Sequence, residues 1–146
     1  MTPPSIRRFA QLWFASTALW AVGTRLAWNR TQKALEIDPR TIPVAPYAQP
    51  VNVALVLLAT VLLWWLVARR ASLLGKWLVM AVAAWSALRV LLTLFTLATS
   101  ANPHPLSQGS FLLAAALAVA SAAMLFRPDA RAWFGEHDAE EVDDEG

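Results

Sequence analysis

The sequence predicts an all-α, polytopic membrane protein: four transmembrane helices in a bundle, with both termini in the cytoplasm. Three observations carry that expectation. Of 146 residues, 58% are apolar and 15% charged, whereas a soluble domain is roughly half apolar and about a quarter charged. Four predominantly apolar stretches come close to the roughly 20 residues a helix needs to cross about 30 Å of hydrocarbon. Lys and Arg gather at the borders of those runs rather than on one soluble face, so the pI near 9.7 indicates a membrane and no nucleic acid. The length allows one domain, and the absence of cysteine excludes disulfides, thiolate metal sites and cysteine nucleophiles.

The runs cover about 9–28, 51–68, 77–98 and 110–126. In lipid a backbone must satisfy its own polar groups, and a helix does so within one segment. The first run is the least apolar, carrying Gln11, Ser16, Thr17 and Thr24 and closed by Arg25. Residues 1–8 followed by this run, with Ala21-Val22-Gly23 behind, imitate a signal peptide with a small-residue cleavage site. Bulky Trp20 beside that site, and apolar residues through to Trp28, point to a retained helix.

Between the first two crossings, 29–50 reads as the longest connection. Its second half carries four prolines, Pro39, Pro43, Pro46 and Pro50, which favour an extended, semi-rigid course. Pro50 suits the first turn of the second crossing, where a missing N–H costs little. The connection reads as a spacer on the outer surface, or as a cap over an outward-facing cavity. Arg69, Arg70 and Lys76 mark the short turn into the third crossing, and 100–108 forms a connection with no Asp, Glu, Lys or Arg before the fourth.

Orientation follows from the Lys and Arg count in short loops. With the N-terminus inside, the cytoplasmic side collects Arg7, Arg8, Arg69, Arg70, Lys76, Arg127 and Arg131 against Arg30, Lys33 and Arg40 outside. Trp13, Trp28, Trp64, Trp65, Trp77 and Trp133 fall near predicted boundaries, where indole rings favour the headgroup level. Trp20 and Trp85 lie deeper and read as packing residues between helices.

Helices in lipid associate through close packing of small residues. The fourth crossing carries such a ridge at spacing four, Ser110, Ala114, Ala118 and Ala122. It meets another helix of the chain, a second copy or a partner protein. The two halves show no relation of the kind found in inverted-repeat transporters.

Arg89 is the only charge well inside a crossing. An arginine at bilayer depth costs about 2.5–3.5 kcal/mol on insertion scales, so its place needs a reason. It falls in the outer half, level with Arg25, and Glu36 and Asp38 of the first outer connection are the acids of the chain available to pair with the two arginines. These four form a candidate ion-pair or anion-contact cluster. An internal ion pair or snorkelling, a bound lipid phosphate or anionic substrate, and an acid from a partner protein are the readings it leaves open. His104 and His137 have no second ligand at helical spacing, so no metal and no cofactor is expected, and no nucleophile with its base can be assembled.

Charge divides the chain sharply. Residues 1–128, the transmembrane domain, hold eleven of the twelve Lys and Arg against two acids, net +9; residues 129–146 hold one Arg against eight acids, net −7. In that second part, 129–134 reads as an interfacial turn anchored by Trp133 and Phe134. Seven acids among the last eleven residues predict a disordered cytoplasmic tail.

Two segments, Leu63-Trp64-Trp65-Leu66-Val67-Ala68-Arg69-Arg70-Ala71-Ser72 leading to Lys76-Trp77, and Leu125-Phe126-Arg127-Pro128-Asp129-Ala130-Arg131-Ala132-Trp133-Phe134, join Arg7-Arg8-Phe9 in a pattern spread over about 130 residues. The pattern resembles an uncharacterised family of small bacterial four-helix inner-membrane proteins. The resemblance implies a fold and a bacterial inner membrane, and it implies no activity. Arg89 and the acidic tail depart from it, so any role for them belongs to this chain.

The functional expectation is a non-enzymatic accessory or structural subunit, with the bilayer as solvent and a protein partner or second copy meeting the fourth helix. The alternative is a small oligomeric transporter or channel for an anion or amphiphile. Against it, the crossings lack the acidic residue that small multidrug exporters of similar size use for proton coupling.

Overall fold

A computed structural model describes residues 2–37, 39–99 and 105–135. Among these residues every regular element is a helix: α1 (Pro4–Ile37), α2 (Ala45–Ala68), α3 (Leu73–Thr99), α4 (Pro105–Met124) and the short α5 (Pro128–Trp133). Three of them, α2, α3 and α4, are long and apolar enough to cross a membrane. Their surfaces carry the large apolar side chains that lipid accepts, among them Leu55, Leu58, Leu91 and Phe95. α1 is interrupted by Gln11, Ser16, Thr17, Thr24 and Arg25 and falls outside that set of three.

The four long helices pack in chain order around a ring, with α1 closing on α4. The α1–α4 seam is the most extensive, and small residues are the reason. Ala114, Ala118 and Ala122 are buried, and a Cβ built on Gly23 would lie 2.5 Å from the Ser110 Oγ. The Ser16 hydroxyl donates to the Ala114 carbonyl at 2.8 Å. The predicted ridge therefore faces α1 of the same chain, where the backbones approach closely.

The core lies at one end. Ile6, Phe9 and Trp13 of α1, Leu63 and Val67 of α2, Val79 and Ala83 of α3, and Ala122 and Leu125 form one buried cluster. Spacings of three and four put each set on one helix face. The Phe9 and Trp13 rings stack at 5.9 Å, and the Trp13 indole N–H donates to the Thr60 carbonyl at 3.1 Å. α2 and α3 are joined here by a tight turn in which Ala71 adopts φ 46° and a Cβ on Gly75 would meet Leu66 at 2.9 Å.

α5 locks that end. Its Asp129 accepts a hydrogen bond from the Ser5 backbone N–H at 3.1 Å, satisfying one of the donors that the start of α1 leaves unpaired. The Trp133 indole N–H donates to the Val67 carbonyl near the end of α2 at 3.2 Å. Phe134 is buried, and the Lys76 ammonium sits 4.7 Å over the Phe126 ring and 5.4 Å over that of Phe134. The seven cations assigned to one side by the sequence all belong to this end, called the basic end below.

Several boundaries differ from the sequence reading. α1 runs to Ile37, about 51 Å at 1.5 Å per residue, so the connection expected over 29–50 contracts to 38–44. The stretch expected to be extended over 45–50 is the start of α2. Pro46 falls in the first turn, where its fixed φ already suits a helix and no N–H is needed. Pro50 lies inside α2 rather than at its first turn. Around this start the Gln49 side-chain amide donates to the Trp28 carbonyl and to Gln32 Oε1, both at 3.1 Å, holding α2 to α1. α3 begins four residues earlier than expected, and α4 spans 105–124 rather than 110–126. Trp85, expected between helices, is 62% exposed on the outer face of α3. Trp13, expected near a boundary, is core, and Trp133 and Phe134 turn into the bundle. The acidic tail after Gly135, His104 and His137 lie outside the described residues.

Candidate functional site

At the end opposite the basic end the four helices enclose a cavity instead of a core. α3 presents Ser86, Arg89, Val90 and Thr93 to it, and α4 presents Gln108, Phe111, Leu112 and Ala115. Both sets follow a spacing of three, four and seven, which is one face of a helix. α1 contributes the ladder Trp20, Thr24, Ala27 and Thr31, and α2 closes the wall with Gln49 and Asn52. The cavity measures about 660 Å³, inside the range of roughly 300–1,000 Å³ usual for small-molecule sites.

Its chemistry is asymmetric. Among the described residues Arg89 is the single charged one on the wall, set among hydroxyls and amides on one side and Trp20, Val90, Phe111 and Leu112 on the other. The Ser86 hydroxyl is turned to the Val82 carbonyl at 2.8 Å, and the Thr93 hydroxyl to the Arg89 carbonyl at 2.8 Å. Such back-bonding to the preceding turn is how a helix settles hydroxyls in an apolar setting. The guanidinium of Arg89 has no hydrogen bond or ion pair among the described residues, and Gln108 Oε1 is buried without a hydrogen-bond partner. A buried acceptor left unpaired costs about 1–3 kcal/mol.

Of the three residues of the predicted cluster that the structure describes, Arg25, Glu36 and Arg89, only Arg89 lines the cavity. Arg25 is exposed on α1 and is not part of the wall. Glu36 accepts a hydrogen bond from the Gln32 amide at 2.9 Å, a pairing one turn apart on the exposed end of α1. Asp38 lies outside the described residues. Ser110, Ala114, Ala118 and Ala122 belong to the α1–α4 seam, with the Ser110 hydroxyl donating to the Ser107 carbonyl at 2.8 Å.

Sequence reasoning missed Gln49, Asn52, Ser86, Thr93 and Gln108. Part of the signal was present, since Ser86, Arg89 and Thr93 form a polar stripe at i, i+3 and i+7 on an otherwise apolar helix. What the sequence did not hold was the convergence of that stripe with polar positions on the other three helices.

Among the described residues outside the membrane-crossing helices, Asp129 has a perturbed proton affinity. The Ser5 hydroxyl and the Ser5 backbone N–H beside it hold its carboxyl below the usual value of 3.8, and of the two only the N–H reaches hydrogen-bond geometry. No group of three or more His, Cys, Asp or Glu placed to hold a metal occurs among the described residues.

No protein-family model, no curated protein and no solved structure matches this chain.

Proposed function

We propose that this chain is a multi-pass protein of the bacterial inner membrane, crossing it four times with both termini in the cytoplasm, and that it works by binding rather than catalysis, as a non-enzymatic accessory or structural subunit. The observation that carries the reading is the pairing of α1 with α4. α1 is less apolar than its three neighbours, and Gln11 and Arg25 on it are exposed, yet two of its hydroxyls turn inward: Ser16 bonds to α4, and the Thr17 hydroxyl lies 3.2 Å from that of Thr60. A helix whose polar groups are satisfied by neighbouring helices is tolerated in hydrocarbon, which supports counting α1 as a fourth crossing. Seven cations at the basic end support placing that end in the cytoplasm.

Reporter fusions at both termini and within 39–44 test the topology. Cytoplasmic reporter activity at both ends and periplasmic activity in the connection are expected; periplasmic activity at either terminus overturns it. For the accessory role, the tagged chain is extracted in mild detergent and everything retained is identified by mass spectrometry. A stoichiometric protein partner is expected, and recovery of the chain alone counts against it.

The cavity favours a second reading, a small transporter or channel for an anion or amphiphile, because it combines apolar walls with Arg89, a cation without a partner among the described residues. Arg89→Leu separates the two readings. Normal expression with lost flux supports transport, whereas lost expression supports a structural role for the arginine.

A further inference from the structure

We propose that the cavity is a binding site for an anionic amphiphile, with Arg89 holding a phosphate-type oxyanion and the apolar wall holding the first part of a hydrocarbon body. The inference rests on the membrane reading above, since it takes the cavity to lie within the bilayer's outer half or at its border. Arg89 is the seventeenth residue of α3, about 24 Å along the helix from Leu73 at 1.5 Å per residue. Arg89 is exposed rather than packed against its neighbours, and a cation at that depth costs least where an anion meets it. The described residues supply nothing: no acid lines the cavity, and the guanidinium has no partner.

The rest of the wall narrows the chemistry. A guanidinium presents a planar fork of donors that matches an oxyanion in two places at once, so it selects phosphate or carboxylate over a simple halide. The Asn52 amide makes no hydrogen bond among the described residues, and Gln108 Oε1 is unpartnered. The first offers a further donor to the oxyanion. The second is an acceptor in want of a donor, and a headgroup that carries a hydroxyl or ammonium beside its phosphate meets that want. Trp20 and Phe111 give the apolar side. A glycerophospholipid headgroup fits this set, and so does a soluble phosphate ester; the shared element is the oxyanion.

The purified full chain in nanodiscs of phosphatidylcholine carrying a minor fraction of phosphatidylglycerol tests it, with native mass spectrometry counting retained lipid. One phosphatidylglycerol retained with about tenfold preference over phosphatidylcholine is expected. Both carry the phosphate, but the choline cation competes with Arg89 for it and has no donor for Gln108 Oε1, whereas the glycerol headgroup is net anionic and brings hydroxyls, a difference of about one hydrogen bond. Arg89→Gln should abolish the preference and Arg25→Gln should keep it. Ala115→Phe fills the cavity without touching the charge and should also release the lipid, which decides the matter if Arg89→Gln fails to fold. Added inorganic phosphate distinguishes the sources: displacement of the lipid assigns the site to a free oxyanion, and retention assigns it to the headgroup. Equal retention of the two lipids by the wild-type chain, or unchanged preference in Arg89→Gln and Ala115→Phe, overturns the proposal. Release of the chain from membranes by alkaline carbonate overturns the membrane reading and this inference with it; a membrane-integrated chain without selective retention overturns this inference alone.

Discussion

The two ends of this bundle are built from the same four helices and yet solve different problems. At the basic end, Ile6, Phe9, Val67, Val79 and Leu125 are buried almost completely, and α5 ties the start of α1 and the end of α2 through Asp129 and Trp133. At the opposite end the helix faces that would complete a core carry Thr24, Gln49, Asn52, Ser86, Arg89 and Gln108, and a cavity of about 660 Å³ stands in its place. One turn of α3 separates the two regimes, between buried Ala83 and cavity-lining Ser86. Packing at one end supplies the cohesion that lets the other stay open, since helices in lipid gain little from hydrophobic drive and depend on close contact.

Truncations should weigh the two ends most unequally. Phe9→Ala removes a fully buried ring and should cost about 3–5 kcal/mol, the usual range for such a cavity. Leu112→Ala at the cavity wall should cost roughly 1 kcal/mol or less, because its side chain already borders empty space. Denaturation in a single mild detergent measures both, and equal losses would break the contrast between a packed end and an open one.

The α5 lock should give a smaller, pH-dependent effect. Asp129 has a folded-state pKa below its ordinary 3.8, so it contributes stability above that value and loses it as pH falls through the folded pKa. Asp129→Asn should therefore lower Tm at neutral pH, with the difference from wild type closing as the pH drops below 3.8. A gap that stays constant across the titration would remove charge from the account of how α5 holds α1.

Smallest of all is the turn between α2 and α3. Ala71 holds φ 46°, a left-handed conformation that costs a non-glycine residue about 1 kcal/mol. Ala71→Gly should raise stability by up to that amount, visible as a modest rise in Tm. A fall would mean that the turn depends on the alanine methyl for packing.

Much of the fold was legible because hydrophobic run length reports helices directly. α2, α3 and α4 appear as apolar stretches, and the ridge from Ser110 to Ala122 identified the face of α4 that packs closely. The helical continuation through 29–37 was not legible, since polar residues on a helix that outlasts the apolar run look the same as a loop. Pro46 and Pro50 misled for a different reason: proline signals an extended course and a helix start equally, and only the anchoring of Gln49 against Trp28 and Gln32 decides between them. Trp133 and Phe134 read as interface anchors because an aromatic pair after a crossing has the same composition whether it faces lipid or the chain's own core. At the site, Arg89 announced itself as a charge in an apolar run. Its surroundings did not, because Gln49, Asn52 and Gln108 come from other helices and acquire meaning only when brought together.

The chain contains no cysteine, so single substitutions provide clean probes one helical turn apart. Ser86→Cys and Ala83→Cys, each in nanodiscs and treated with a small water-soluble methanethiosulfonate, measure the boundary between the cavity and the core. The account predicts fast modification at position 86, slowed by phosphatidylglycerol, and none at position 83. Modification of position 83 as fast as position 86, or of neither, would contradict it.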